Sequence, residues 1–548
     1  MKDKPSLQKL RGGYYTPNEI TDFLSEWAIK SCEDQILEPS CGDGNFLIAI
    51  IQRLLNKKQK SSNISHQLNA VEIDKVEFNK SIKRIKELNI QPNKENFFNG
   101  DFFSYFQDCI DKNKKFDAVI GNPPFIRYQD FPKENRDKAF DLMSELGFKT
   151  NRLTNIWVPF VALSSYLLKT DGRLAMVVPA ELFQVSYAGQ IRKFLSEYFS
   201  KINIITFSKL VFSGIQQEVV LLLAEKNIEG NSGIRTFEIE DLKSFKKFSE
   251  EKLNRTITKP IDHDKEKWIK YFLDNHEIQL LKKIRDNKNL ICLGDYLNVD
   301  VGVVTGLNDF FVIDEISLEK YKLLPHVRRI VTRSMQLKGI KYTDNDFQQN
   351  NKEGFKTFLF YPFDEVGDKL PREVLKYIKY GESKDFHKGY KCRIRKIWYK
   401  VPSIHNADIF CLRQIHQYPK LINNFSSSTC TDTIHRARIK NNIDKGKLCG
   451  AFINSLTFAF SEVTGRSYGG GVMTFEPSEI EKLLIPKKQF WDEIDPEWID
   501  TEIRKGNVDS VLNHHDEILL SDLGLNKKDI QTLRKIWIKL KNRRINRK

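Results

Sequence analysis

From the N-terminus to about Lys226 the chain alternates short apolar runs with stretches whose apolar residues recur at helical spacing. That alternation predicts parallel strands joined by crossover helices, with helices covering both faces of one sheet. The expected strands are Gln35 to Glu38, Gln67 to Ile73, Phe116 to Gly121, Arg173 to Val178, Ile202 to Phe207 and Glu218 to Glu225. Only Ser208 to Gln217 separates the last two, too little for a long crossover helix. A hairpin is therefore expected, and with it an antiparallel strand at the end of a doubly wound α/β sheet.

After Lys226 the alternation fades into a polar, charge-rich stretch that runs to about Asp264. From Leu290 to Pro486 short strand-like runs are mixed with Gly, Asn and basic-aromatic clusters, the make-up of a loop-rich α+β recognition domain. Helical spacing returns from about Asp500, and no acid follows Leu533. The expected division is a catalytic domain over 1–230, a connecting segment over 231–289, a recognition domain over 290–490 and a helical basic tail over 491–548. No internal repeat or low-complexity tract interrupts it.

A chain of 548 residues with 40% hydrophobic content can bury more than one core. Its 88 Lys and Arg against 72 Asp and Glu leave a net charge of +16, which suits a polyanionic partner, most simply nucleic acid, and on charge alone a merely basic soluble protein fits equally well. Eight cysteines are scattered without a Cys-x-x-Cys pair or a zinc-like His spacing, so no metal site is expected and the thiols read as reduced and cytoplasmic. Met1 to Gly13 is charged and lacks an apolar signal core, and no apolar run approaches a membrane span.

The candidate chemistry lies in loops at successive strand ends. After the strand ending at Glu38 comes Pro39-Ser40-Cys41-Gly42-Asp43-Gly44-Asn45-Phe46, where the glycines let the backbone turn tightly and approach a ligand. The next strand ends Glu72-Ile73-Asp74, an acid placed where a ribose diol could donate two hydrogen bonds to one carboxylate. A third segment, Asn99 to Phe103, sets Asp101 beside Phe102, suited to an adenine amino group and ring face. Singly, each is an ordinary strand-end turn. In series, ahead of Asn122-Pro123-Pro124-Phe125, they point to one ligand site.

That tetrapeptide suits methylation of an exocyclic amine, whose lone pair is delocalised into the ring. The Asn122 amide oxygen and the Pro123 main-chain oxygen could accept both amino hydrogens and draw the nitrogen toward tetrahedral geometry. Two prolines stiffen the loop in advance, and Phe125 offers a ring face for an extruded base. A sulfonium methyl donor makes a strong base unnecessary.

On these residues the chain resembles the gamma-arrangement amino-DNA methyltransferases, in which cofactor motifs precede the catalytic motif and target recognition comes last. Gly12-Gly13-Tyr14-Tyr15-Thr16-Pro17 is similar to their cofactor lid and Glu38 to Phe46 to their first cofactor loop. The resemblance implies a class I, Rossmann-like methyltransferase sheet and S-adenosyl-L-methionine as cofactor, held by Tyr15, Thr16, Glu38, Ser40, Gly42, Gly44, Glu72, Ile73, Asp101, Phe102 and Asn122. It implies catalysis by Asn122, Pro123, Pro124 and Phe125. Lys209 to Phe212 resembles the segment whose aromatic stacks on the flipped adenine, and the alternative for Phe212 is a core position at a hairpin.

The implied substrate is adenine N6 in double-stranded DNA, modified at one sequence, as in type II restriction-modification. A cognate endonuclease in the same system, without stable association, and a bacterial or archaeal cytoplasm are expected with it. The chain's pattern begins at Gly12, which leaves no expected place for an N-terminal nuclease. Lys388, Lys391, Arg393, Arg395, Lys396 and Trp398 are the expected DNA contacts, a solvated basic strand being the alternative. Segments 300–311 and 467–471 also resemble recognition-domain motifs. Two other readings stay open: a DNA-binding modification subunit of a larger defence complex, and N4-cytosine methylation.

Overall fold

The computed structural model describes residues 15–151, 153–212, 218–226, 232–362 and 370–547. The chain divides into two compact units, one of residues 1–275 with 546–548, the other of residues 276–545.

The first unit is built on an eight-stranded sheet in the order β3-β2-β1-β4-β5-β7-β6-β8. Its strands are β1 (Ile36–Glu38), β2 (Leu68–Glu72), β3 (Phe97–Asn99), β4 (Phe116–Gly121), β5 (Leu168–Pro179), β6 (Lys201–Phe207), β7 (Val219–Glu225) and β8 (Gly233–Ile239). Continuous apolar runs such as Val219–Glu225 are buried along their length, as strands covered on both faces must be. Crossover helices α1 (Asn18–Ala28), α2 (Asn45–Asn56), α3 (Ser61–Gln67), α4 (Lys75–Glu87), α5 (Phe102–Asp111), α6 (Lys133–Glu145), α7 (Trp157–Tyr166) and α8 (Gly189–Tyr198) supply the cover.

The β6–β7 hairpin forms as expected, but its position in the sheet differs. β7 is antiparallel to β5 on one side and β6 on the other, and the edge belongs to β8, parallel to β6 from Lys201↔Gly233 to Phe207↔Ile239. Residues 233–239, read from sequence as part of a connecting segment, are thus a strand of the catalytic sheet. Phe237, Ile239, Phe245, Phe248 and Leu253 join its core cluster, so the first unit extends to 275. An edge strand needs only one apolar face, and that alternation is hidden among the charges of its flanks.

The second unit carries a five-stranded sheet, smaller four- and three-stranded sheets and a strand pair. Its last helix, Lys527–Ile545, expected as part of a basic tail, buries Leu533, Ile536, Trp537, Leu540 and Arg544. Trp537 packs 5.1 Å from Phe458, and Arg544 pairs with Glu462 at 2.7 Å with both side chains buried. The basic residues of this helix therefore surround an apolar stripe that belongs to the core.

Candidate active site

β1, β2, β3 and β4 run in one direction, so the loops leaving Glu38, Glu72, Asn99 and Gly121 emerge along one edge of the sheet. Strand order reverses between β1 and β4, and right-handed crossovers then send the following helices to opposite faces, opening a crevice. A cavity of about 460 Å³ lies there, lined by Ser40, Gly42, Glu72, Ile73, Asp101, Phe102, Asn122 and Pro124, with Tyr15 and Thr16 from the segment before α1. Gly12, Gly13 and Tyr14 of the expected lid lie outside the described residues.

The glycine loop is folded onto the neighbouring strand. The Cys41 amide donates to the Val71 carbonyl at 2.9 Å, and the Gly44 amide to Cys41 at 2.8 Å. Gly44 caps α2 with φ of 95°, and a Cβ there would stand 2.9 Å from the Ser81 Cβ, so only glycine fits. Ser40 Oγ donates to the Asn122 carbonyl at 3.2 Å and ties this loop to the tetrapeptide.

Glu72 is held in place before any ligand arrives. Its Oε2 accepts the Gly42 amide at 2.9 Å and its Oε1 the Asp74 amide at 2.7 Å. Burial raises this carboxyl above its ordinary range, and the two amides pull it back. Each carboxylate oxygen keeps accepting capacity for a hydroxyl. Asp101 has a structural duty as well: its Oδ2 accepts the Ser104 amide at 3.0 Å and hydroxyl at 3.1 Å as the N-cap of α5. Phe102 stacks on Phe160 with ring centres 4.7 Å apart, so the cavity meets an aromatic pair, not a lone ring.

Glu38 lies beneath the loop and is absent from the cavity wall. It is 1% exposed, its Oε2 has no hydrogen-bond partner among the described residues, and a Cβ on Gly121 would stand 2.9 Å from its Oε1. Burial, then the Glu72 charge, pushes its carboxyl well above the ordinary 4.5. The folded state therefore binds more protons than the unfolded chain above that value, and stability falls as pH rises toward the folded pKa. Glu38→Gln is expected to flatten that fall, measured as urea midpoints across pH; an unchanged pH slope would mean Glu38 is not the titrating group.

At the tetrapeptide, Asn122 Nδ2 donates to Thr16 Oγ1 at 3.2 Å, and Asn45 Nδ2 donates to the Thr16 carbonyl at 3.2 Å. That bond turns the nitrogen end of the Asn122 amide toward Thr16. Pro123 is buried, whereas Phe125 is half-buried and packs against the core cluster away from the cavity lining. Phe212 is 5% exposed within the same cluster, the core position that was its alternative. An apolar ring with no base beside it gains by burial, and stacking requires it to leave those contacts.

The basic segment of the second unit is a helical turn, Tyr390–Arg393, and its residues divide into two kinds. Arg395 donates to the Val304 and Thr305 carbonyls at 3.0 and 2.7 Å, and Trp398 packs 4.8 Å from Phe310 while its indole donates to Glu382. These two brace the fold through those contacts. Lys388 pairs with Asp385 at 2.9 Å, and Lys391, Arg393 and Lys396 are exposed. Gly302 lies where a Cβ would meet the Thr431 carbonyl at 2.1 Å, and the Gly471 carbonyl accepts from Arg544.

Asn45 and Phe46, quoted in the glycine loop but given no role of their own, line the wall, and Glu77, Lys80, Ile126, Phe131 and Phe160 there escaped sequence reading altogether. Asn45 and Phe46 follow the glycine loop directly and could have been inferred from it; Phe160, inside a helix apolar all round, carried no signal. Among the described residues no metal-binding group of His, Cys, Asp or Glu occurs, and no helix is long and apolar enough to cross a membrane.

Residues 4–296 match the family model N-6 DNA Methylase, and residues 265–520 match that of the C-terminal domain of the type II methyltransferase M.Eco57I. The chain is 25% identical over 536 residues to the type II methyltransferase M.AccI of Acinetobacter calcoaceticus, covering 92% of both proteins. It is also 25% identical over 403 residues to M.HindII of Haemophilus influenzae, covering 67% of this chain and 70% of that one. Among solved structures, the type IIL restriction-modification enzyme MmeI in complex with DNA aligns with a TM-score of 0.59 at 12% identity, over 96% of this chain and 75% of that one.

Proposed function

We infer, from the premise that the chain belongs to the N-6 DNA methylase family, the roles that its cavity residues play in methylating adenine N6 in DNA. The observation that carries the reading is the meeting of Asn122 and Pro124 with Glu72 in the lining of one cavity. The residues fit S-adenosyl-L-methionine: a carboxylate oriented by two amides suits a ribose diol, and Ile73, Asp101 and Phe102 suit an adenine ring and its amino group. Bound there, it supplies an electrophilic methyl group on sulfur.

The protein's own part is orientation. Asn122 and the Pro123 carbonyl accept the amino hydrogens of the extruded adenine and localise its lone pair, while the prolines hold those acceptors still. Phe212 and Phe125 offset unstacking, which costs a few kcal/mol, once displaced from the core cluster. The methylated nitrogen then loses its proton to solvent. The residues required are those of a stand-alone enzyme, and the type II methyltransferases it resembles support a place in a bacterial restriction-modification system, in the cytoplasm, with a separately acting endonuclease.

Lys391, Arg393 and Lys396 provide phosphate contacts to the duplex. Replacing any one by Ala is expected to lower the salt slope of DNA binding by about 1 while leaving thermal stability unchanged. An unaltered slope in all three variants would remove this turn from the interface. The activity itself is tested by incubating the purified chain with labelled S-adenosyl-L-methionine and duplex DNA, followed by nucleoside analysis. N6-methyladenine is expected; N4-methylcytosine, or no product, would overturn the reading.

A further inference from the structure

Lys138, in α6, sends its ammonium across to α5. Its Nζ donates to Ser104 Oγ at 2.8 Å, and Ser104 Oγ stands 3.1 Å from Asp101 Oδ2. An ammonium only donates, so the hydroxyl accepts from Lys138 and turns its one proton to the carboxylate. The Ser104 amide donates to the same oxygen at 3.0 Å. Both donors of Ser104 thus end on Oδ2, and among the described residues Oδ1 accepts no hydrogen bond.

This is not the contact a solvated helix lysine would make. Glu134, four residues before it in α6, and Asp141, three after, stand at the spacings that give helix ion pairs. Among the described residues Lys138 pairs with neither, and its charge lies at one hydroxyl's remove from Asp101 instead. The helix itself is seated beside the cavity. Phe131, just ahead of α6, lines the cavity and meets Phe103 at 6.2 Å, and Ala139, Leu142 and Met143 of α6 are buried.

We propose that Lys138 is a positioning residue for recognition of the cofactor's base: through Ser104 it keeps Asp101 Oδ2 occupied, so that Oδ1 is the oxygen that accepts a hydrogen from the 6-amino group. This rests on the adenine role proposed for Asp101, which lines the cavity. A carboxylate only accepts, so a purine with a 6-oxo group would meet it oxygen to oxygen, and a site built to take an amine rejects that base. Without the lysine the Ser104 hydroxyl is free to turn its proton elsewhere. Asp101 then loses one of the two bonds that set its rotation, and the fixed acceptor is lost with it.

The test uses the full-length chain and two stable thioethers, S-adenosylhomocysteine and S-inosylhomocysteine, whose bases carry a 6-amino and a 6-oxo group. Calorimetry on the parent is expected to favour the adenosyl form by about 10- to 100-fold, the scale of one hydrogen bond to a charged group. Lys138→Met should cut that ratio by about fivefold, chiefly by weakening the adenosyl form, and Lys138→Arg should restore part of it. Ser104→Ala should cut it likewise, and adding Lys138→Met to Ser104→Ala should cost little more, since the lysine acts through the hydroxyl. A merely structural role would weaken both ligands together at an unchanged ratio, and that result overturns the proposal, as would fully additive losses in the double variant. Asp101→Asn, which keeps an N-cap, separates the two readings. If it keeps the parent's ratio, or if the parent shows no preference, the adenine role fails and the proposal with it; if it loses the ratio while Lys138→Met and Ser104→Ala do not, only the proposal fails.

Discussion

Asn122→Ala is expected to reduce kcat for methyl transfer by at least about 10² to 10³, the scale of removing one preorganised hydrogen-bonding group from a reacting centre. Cofactor affinity should stay close to that of the parent, since Gly42, Glu72 and Asp74 form a hydrogen-bonded unit that does not include the Asn122 side chain. The separation matters because Asn122 also donates to Thr16, and Thr16 lies on the cavity wall. Thr16→Val serves as the control: it removes that bond and keeps the amide oxygen, so it should lower kcat far less. Calorimetry with the cofactor and single-turnover kinetics read the two effects independently. Near-normal turnover in Asn122→Ala would remove the residue from the reaction.

Glu72→Ala is expected to act on cofactor binding, not on methyl transfer. It strips the Gly42 and Asp74 amides of their acceptor and removes both hydrogen bonds available to a diol. Hydrogen bonds to a charged group contribute about 1.5 to 3 kcal/mol each, so cofactor Kd should rise by about 10² or more. kcat at saturating cofactor should change much less. Unchanged affinity by calorimetry would refute the ribose role.

What could be read from sequence follows how locally each feature is determined. The loops after Glu38, Glu72 and Gly121 lie at strand ends, and parallel strands bring their ends together whatever the rest of the chain does. The placing of Asn122 and Glu72 in one cavity lining was legible for that reason. The surroundings of Phe212 and Trp398 were not, because an aromatic at a turn has the same local pattern whether it faces a ligand or a core. Trp398 packs on Phe310, far away in sequence, and Phe212 on a cluster drawn from all eight strands of the sheet and their helices. β8 escaped because its seven residues pair with β6 through the backbone, which side-chain patterning records only on the covered face. Lys138 gave no signal either: its partner Ser104 lies on another helix, 34 residues earlier in the chain.

The central claim is that one cavity, lined by both Glu72 and Asn122, methylates adenine N6 at a defined DNA sequence. It is tested most directly by expressing the chain and its Asn122→Ala variant in a methylation-free host and sequencing both genomes by a modification-sensitive method. The account predicts N6-methyladenine at a single short motif in the first genome and none in the second. An unmodified genome, methylated cytosine, or equal modification by the variant would contradict it.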